Sequence, residues 1–123
     1  MIESLLPTED QEQIALVHWA AYHTICKDHL LHIPNGGSRH KLEAYKLKKM
    51  GVRKGVSDFF LAYPIDEYHG LWIELKSKRK TARVSREQCI WLGRMECRGY
   101  AAETAYGCDG AIKIILRYLK EDK

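Results

Sequence analysis

The sequence predicts an α/β fold, a mixed central sheet flanked by helices in the order α-β-α-β-β-α-β-α. Two observations carry that expectation. Segments with apolar residues at helical spacing alternate with short apolar runs bounded by Pro and Gly, the pattern of strands interleaved with helices. The chain has 123 residues, 46% of them hydrophobic, enough for one sizeable core and too few for two, so one domain over residues 1–123 is expected.

Taken in order, Pro7-Thr8-Glu9 reads as a helix start, with Thr8 as N-cap and Gln11 at capping-box spacing. The helix is expected to reach about Cys26, with Ile14, Val17, Ala21 and Ile25 as its apolar stripe. Glu9, Gln13, Leu16 and Ala20 form a neighbouring stripe, whose acidic first turn suits the helix dipole and is read as solvated. His29–Ile33 reads as a strand ended by Pro34-Asn35-Gly36-Gly37. Ser38 then caps a helix over Arg39–Met50, which Gly51 terminates.

Gly55 sits three residues before Asp58, where a missing Cβ permits a sharp turn or a close phosphate. A second strand over Ser57–Tyr63 stops at Pro64, and a third covers Leu71–Ser77. Ser85 with Gln88 repeats the capping-box spacing and opens a helix to Arg98, closed by Gly99, with Cys89, Leu92, Met95 and Glu96 at helical spacing. Tyr100–Tyr106 reads as the fourth strand. Gly110–Lys120 reads as a final amphipathic helix with Ile112, Ile115, Leu116 and Leu119 facing the core.

Composition narrows the function. No apolar run approaches the roughly 20 residues of a membrane span, and the acidic N-terminus is unlike a signal peptide; a soluble cytoplasmic chain is expected, with no membrane partner. Four cysteines lack a C-x-x-C pair and read as free thiols. Cys26, His29 and His32 have ligand-like spacing, but no fourth zinc ligand is evident. Neither a Walker loop, G-x-G-x-x-G nor H-E-x-x-H occurs, so no nucleotide cofactor is expected.

The net charge is only +4, yet 13 of the 20 Lys and Arg fall in two blocks, Arg39–Lys54 and Lys76–Arg86. Such runs are usually solvated faces. These two flank a particular constellation. Side chains alternate along a strand, so Glu74 and Lys76 share one face while Ile73 and Leu75 share the other. A hairpin would bring Asp58 beside Glu74. Two carboxylates are hard oxygen ligands suited to Mg²⁺ or Mn²⁺, and an adjacent ammonium can orient a water or stabilise phosphate charge. Cations on either side favour a polyanion across that site. Arg39, Lys41, Arg53, Lys54, Lys78, Arg79, Lys80 and Arg83 are the expected DNA-binding residues, with Arg39 beside the two glycines of IPNGGSR the first choice for a phosphate contact.

With these residues in place, GVRKGVSD, LWIELKS and VSREQCIWL, in that order, resemble the virus-type replication–repair nuclease (VRR-NUC) domain of the PD-(D/E)xK superfamily. TEDQEQIALVHWA, IPNGGSR and RGYAAETAYG extend the resemblance over nearly the whole chain, with Ser57 where the superfamily has Pro. It implies a restriction-endonuclease-like core and a Mg²⁺- or Mn²⁺-dependent DNA endonuclease. Asp58 and Glu74 would match the metal-binding acids, the Leu75 carbonyl a further ligand, Lys76 the catalytic lysine and Gln88 the helix glutamine. Glu9 and Gln13 would match the polar pair of the first helix, Glu9 reaching the metal, with Glu12 as the alternative. Stand-alone members are similar to phage or bacterial homodimers that cut branched DNA such as Holliday junctions in DNA repair, which would place a phage-encoded chain in host cytoplasm. The competing expectation is a non-catalytic DNA-binding or scaffolding protein on a nuclease fold.

Overall fold

The computed structural model describes residues 5–34 and 41–122. The elements are α1 (Glu9–Ala20), α2 (Cys26–His29), β1 (Leu30–His32), α3 (Lys41–Lys49), β2 (Phe59–Leu61), β3 (Leu71–Lys76), α4 (Arg86–Glu96), β4 (Ala101–Tyr106) and α5 (Gly107–Tyr118). The four strands form one sheet in the order β1-β2-β3-β4, antiparallel except for the parallel β3–β4 pair that α4 connects. The mixed α/β architecture is the expected one, with the short α2 added.

β3 is the central plank. Leu71, Ile73 and Leu75 are fully buried on one face, against Leu16 and Ala20 of α1 and Ala111, Ile114, Ile115 and Tyr118 of α5. Trp72, Glu74 and Lys76 take the opposite face by strand parity. There Trp72 meets Trp91 of α4 edge-on at 5.2 Å, and Glu74 meets Gln88. Helices therefore cover both sides of the sheet, and the side-chain parity of one six-residue strand divides oil from charge.

Helix α1 corrects the sequence reading. It stops at Ala20, and Ile14 and Val17 are 68% and 48% exposed, whereas Glu12, Leu16 and Ala20 are buried. The stripe that reads as polar is the inner one. Glu12, outside that expected stripe, joins it: its carboxylate accepts the Cys108 N–H at 3.0 Å, in the first turn of α5. An anion there meets unsatisfied amides and the positive end of the dipole.

Both expected capping boxes are present, at Thr8/Gln11 and Ser85/Gln88, and Gly51 (φ +103°) ends α3. The expected Ser38 cap lies outside the described residues. Three elements shift. β2 is shorter than Ser57–Tyr63, α4 ends at Glu96 without a fully buried residue, and α5 begins at Gly107 with Ala111, Ile114, Ile115, Tyr118 and Leu119 as its buried side chains. Ile115 and Leu119 face the core as expected, while Ala111 and Ile114 join them and Ile112 and Leu116 stay half-buried at its margin.

Candidate active site

Asp58 stands at the entrance to β2, where the ladder has paired Phe59 with Ile73 and then opens. Its carboxylate Oδ2 accepts the Leu75 N–H at 2.8 Å, bridging β2 to the end of β3. Its backbone carbonyl accepts from the Ile33 N–H at 2.7 Å and from His32 Nδ1 at 2.9 Å. His32 Nε2 lies 3.2 Å from the Gln13 amide nitrogen, so Nε2 accepts and Nδ1 carries the proton given to Asp58. Gln13 thus acts on Asp58 through His32 rather than directly. Cys26, His29 and His32 are not a zinc site: Cys26 is buried, burial pushes its thiol up to about 12, and His29 Nδ1 bonds the Ile25 carbonyl.

Glu74 is 1% exposed. Its Oε2 accepts from Gln88 Nε2 at 2.9 Å, while its Oε1 is buried with no partner. Burial raises the Glu74 carboxyl well above the usual range, and the neighbouring Asp58 carboxylate raises it further, against a smaller lowering by Lys76. An orphaned carboxylate oxygen in the interior is costly unless something cationic meets it.

Gln88 uses both ends of its amide. Its oxygen accepts the Ser85 N–H at 2.7 Å to close the capping box, and its nitrogen donates to Glu74. Helix start and carboxylate are fixed by one side chain.

Lys76, 8% exposed, places Nζ 3.8 Å from Glu74 Oε2 and 3.6 Å from Glu9 Oε1. Both are charge contacts longer than hydrogen bonds. Burial raises the Glu9 carboxyl, with Lys76 opposing and the Asp58 charge reinforcing the shift. Glu9, not Glu12, is therefore the α1 acid at this site. Among the described residues no three His, Cys, Asp or Glu side chains close into a ready metal cage. Asp58 and Glu74 form a pair, with Glu9 held off behind Lys76.

The loop before Asp58 is tightly placed. Gly55 has φ +90°, and a Cβ there would stand 2.7 Å from Glu87 Cβ. The turn of the chain and the close approach of α4 both require glycine.

The basic residues scatter more than their sequence blocks suggest. Arg53 and Lys54 face α4, where Lys54 lies 4.0 Å from Glu87. Lys78 pairs with Asp109 at 2.7 Å, and Arg79 donates to the Leu6 carbonyl at 2.6 and 3.0 Å, which holds the segment before α1 against the end of β3. Arg83 donates to the Lys80 and Ala82 carbonyls of its own loop, and Lys80 is exposed. Arg39 and the side chain of Lys41 lie outside the described residues.

Sequence reasoning missed the placement of His32 and the cap made by Glu12. The first had a signal: antiparallel pairing of LLHI with DFFL puts His32 opposite Phe59, next to Asp58. The second had none, because it joins residues 96 apart.

Comparison with known proteins bears on the family and the fold. The VRR-NUC domain model matches residues 3–109. A solved structure described as a VRR_NUC domain protein superposes with a TM-score of 0.78 at 28% identity, over 96% of this chain and 93% of that one. No curated protein matches. With the family model spanning all four strands and a solved relative sharing the fold, the chain belongs to the VRR-NUC domain family, a family of nuclease type.

Proposed function

We propose that residues 1–123 form one nuclease domain that hydrolyses phosphodiester bonds of DNA as a Mg²⁺- or Mn²⁺-dependent endonuclease, acting on branched DNA such as four-way junctions. The observation that carries this reading is the partnerless, buried Glu74 Oε1 beside the Asp58 carboxyl, with the Lys76 ammonium on the same face. The donor set fits a hard divalent cation, which takes oxygen ligands, needs only one or two carboxylates and keeps waters. Asp58 and Glu74 would hold it, together with the Leu75 carbonyl. In a strand the N–H and C=O of one residue face the same edge, and the Leu75 N–H faces Asp58. Glu9 would join through a water. When bound, such an ion supplies a Lewis acid for the phosphate and lowers the pKa of a water.

The chain's own residues do the rest. Lys76 presents its ammonium where negative charge develops on the phosphate as the P–O bond breaks, held on line by Glu9 and Glu74. Gln88 fixes the rotamer of Glu74, and His32 with Gln13 fixes the backbone of Asp58. Arg53, Lys54 and Lys80 offer cations to flanking phosphates, which position DNA without reading sequence. The exposed Ile14 and Val17 on α1, with Tyr22 just beyond its end, offer apolar surface suited to a second copy. A symmetric homodimer would present two sites to two strands.

The alternative, a non-catalytic DNA-binding protein on a nuclease fold, is favoured by the lack of a three-side-chain metal cluster among the described residues. Magnesium sites do not need one, and the three core groups are assembled, so hydrolysis is preferred. The test is cleavage of a four-way junction beside flap, nicked and linear duplexes in Mg²⁺ and Mn²⁺, with Asp58→Ala and Lys76→Ala as controls. Junction cleavage lost in both variants is expected. Binding without cleavage across all substrates and metals would install the alternative.

A further inference from the structure

Between α4 and the loop that leads to Asp58 lies an open cleft with about 180 Å³ of space, lined by Arg53, Lys54, Glu87, Ile90, Trp91 and Arg94. Glu87, Ile90, Trp91 and Arg94 are spaced i, i+3, i+4, i+7 and so share one face of α4. Arg53 and Lys54 come from the loop that leads to Asp58. The two walls touch where Gly55 packs on Glu87. Each wall continues into the site, the loop at Asp58 and the helix at Gln88, which donates to Glu74.

The floor is aromatic and held in place. Trp91 stands edge-on to Trp72 at 5.2 Å, and Trp72 stacks on Phe60 at 4.4 Å. Trp72 and Glu74 are successive side chains on one face of β3, about 7 Å apart along the strand. Trp72, against which Trp91 packs, is therefore two residues along β3 from Glu74. The space is far below the roughly 300–1,000 Å³ that accommodates drug-sized ligands, and suits a single flat ring.

We propose that this cleft receives one unpaired nucleotide of the DNA strand next to the scissile phosphate, its base against Trp91 and Ile90 and its phosphate toward Arg53, Lys54 and Arg94. The proposal rests on the nuclease reading and specifies the substrate: DNA with an extrahelical nucleotide at the cut site. Among the described residues neither Arg53 nor Arg94 has a carboxylate partner, so both guanidiniums remain available to phosphate. Glu87 argues for a base rather than a bare phosphate. Its carboxylate, held charged by its own backbone N–H and by Lys54, repels a dianion but accepts from an exocyclic amino group. Stacking is tolerant of sequence, because every base has a π-face.

The test is a fluorescence anisotropy titration in Ca²⁺ with a flapped duplex whose first unpaired nucleotide carries adenine or is abasic. The wild type is expected to bind the adenine flap about tenfold more tightly. Trp91→Leu should bring that ratio close to one, while Arg94→Ala weakens binding to both DNAs. 2-Aminopurine at the same position reports stacking in the unaltered protein, through quenching on binding, and so stands even if Trp91→Leu fails to fold. Equal affinity for both flaps with unquenched 2-aminopurine overturns the proposal. If the protein still cuts duplex in Mn²⁺, only the cleft reading is lost; failure to bind any DNA removes both readings.

Discussion

Replacing Glu74 by Gln is expected to stabilise the metal-free protein while abolishing its response to divalent cations. The carboxyl is 1% exposed and raised from 4.5 to about 9 by burial and by Asp58. A raised folded-state pKa means the native protein binds the proton more tightly than the unfolded chain. Its stabilising effect is complete below pH 4.5 and is lost progressively as the pH climbs toward 9. At pH 8 the unfolded chain has released this proton and the folded one has not. At about 1.4 kcal/mol per pH unit over that interval, the ceiling is roughly 5 kcal/mol. Relaxation and water entry around a buried charge reduce such a ceiling, so about 2 kcal/mol should remain. For a chain of this length, roughly 4 °C accompanies each kcal/mol, and E74Q in EDTA should melt about 8 °C above the wild type at pH 8.

The gap should shrink toward zero near pH 5. Adding Mn²⁺ at about a hundred times its dissociation constant should stabilise the wild type by roughly 2.7 kcal/mol, or about 10 °C, and leave E74Q unmoved. Thermal melts at pH 5, 6.5 and 8, with and without MnCl₂, read both effects. A variant less stable than the wild type at pH 8 in EDTA, or one with an undiminished Mn²⁺ shift, would refute the reasoning.

Other perturbations follow from the same contacts. Lys76→Met should lower the cleavage rate by about 10²–10³-fold at saturating Mn²⁺, measured by single-turnover kinetics; a loss under threefold would remove Lys76 from the chemistry. His32→Ala removes one of the two donors to the Asp58 carbonyl and should weaken metal affinity or activity by about tenfold, with His32→Asn recovering part of it, read from the Mn²⁺ dependence of cleavage. Glu12→Ala leaves the first turn of α5 without its acceptor and should cost about 1–2 kcal/mol in urea unfolding. It should leave the Mn²⁺ dependence unchanged, which separates Glu12 from Glu9. Ser57→Ala removes a fully buried hydroxyl with no partner and should be neutral or stabilising by about 1 kcal/mol in the same assay.

What the sequence disclosed depended on the range of the interaction. Glu74 and Lys76 were legible because strand parity is a property of neighbouring residues, and both capping boxes because they close within three positions. α1 misled for the same reason. Local hydrophobicity favours Ile14 and Val17, while the buried face is chosen by partners far along the chain, Cys108 for Glu12 and Lys76 for Glu9. A carboxylate turned inward looks like a solvated one until its partner is known. The charge blocks divided likewise: Arg79 is spent on the Leu6 carbonyl, and Arg53 lines a cleft whose other wall is more than thirty residues away. Gln88 joins the two ranges. Its spacing from Ser85 predicts a cap, and a cap alone would account for it. The cap, however, occupies only the amide oxygen, and leaves a nitrogen aimed at Glu74. Replacing Gln88 by Glu tests that division of labour. A carboxylate preserves the acceptor for Ser85 but sets a second negative charge against Glu74, so α4 should keep its cap while cleavage falls. If cleavage survived, the capping function would be sufficient to explain the residue.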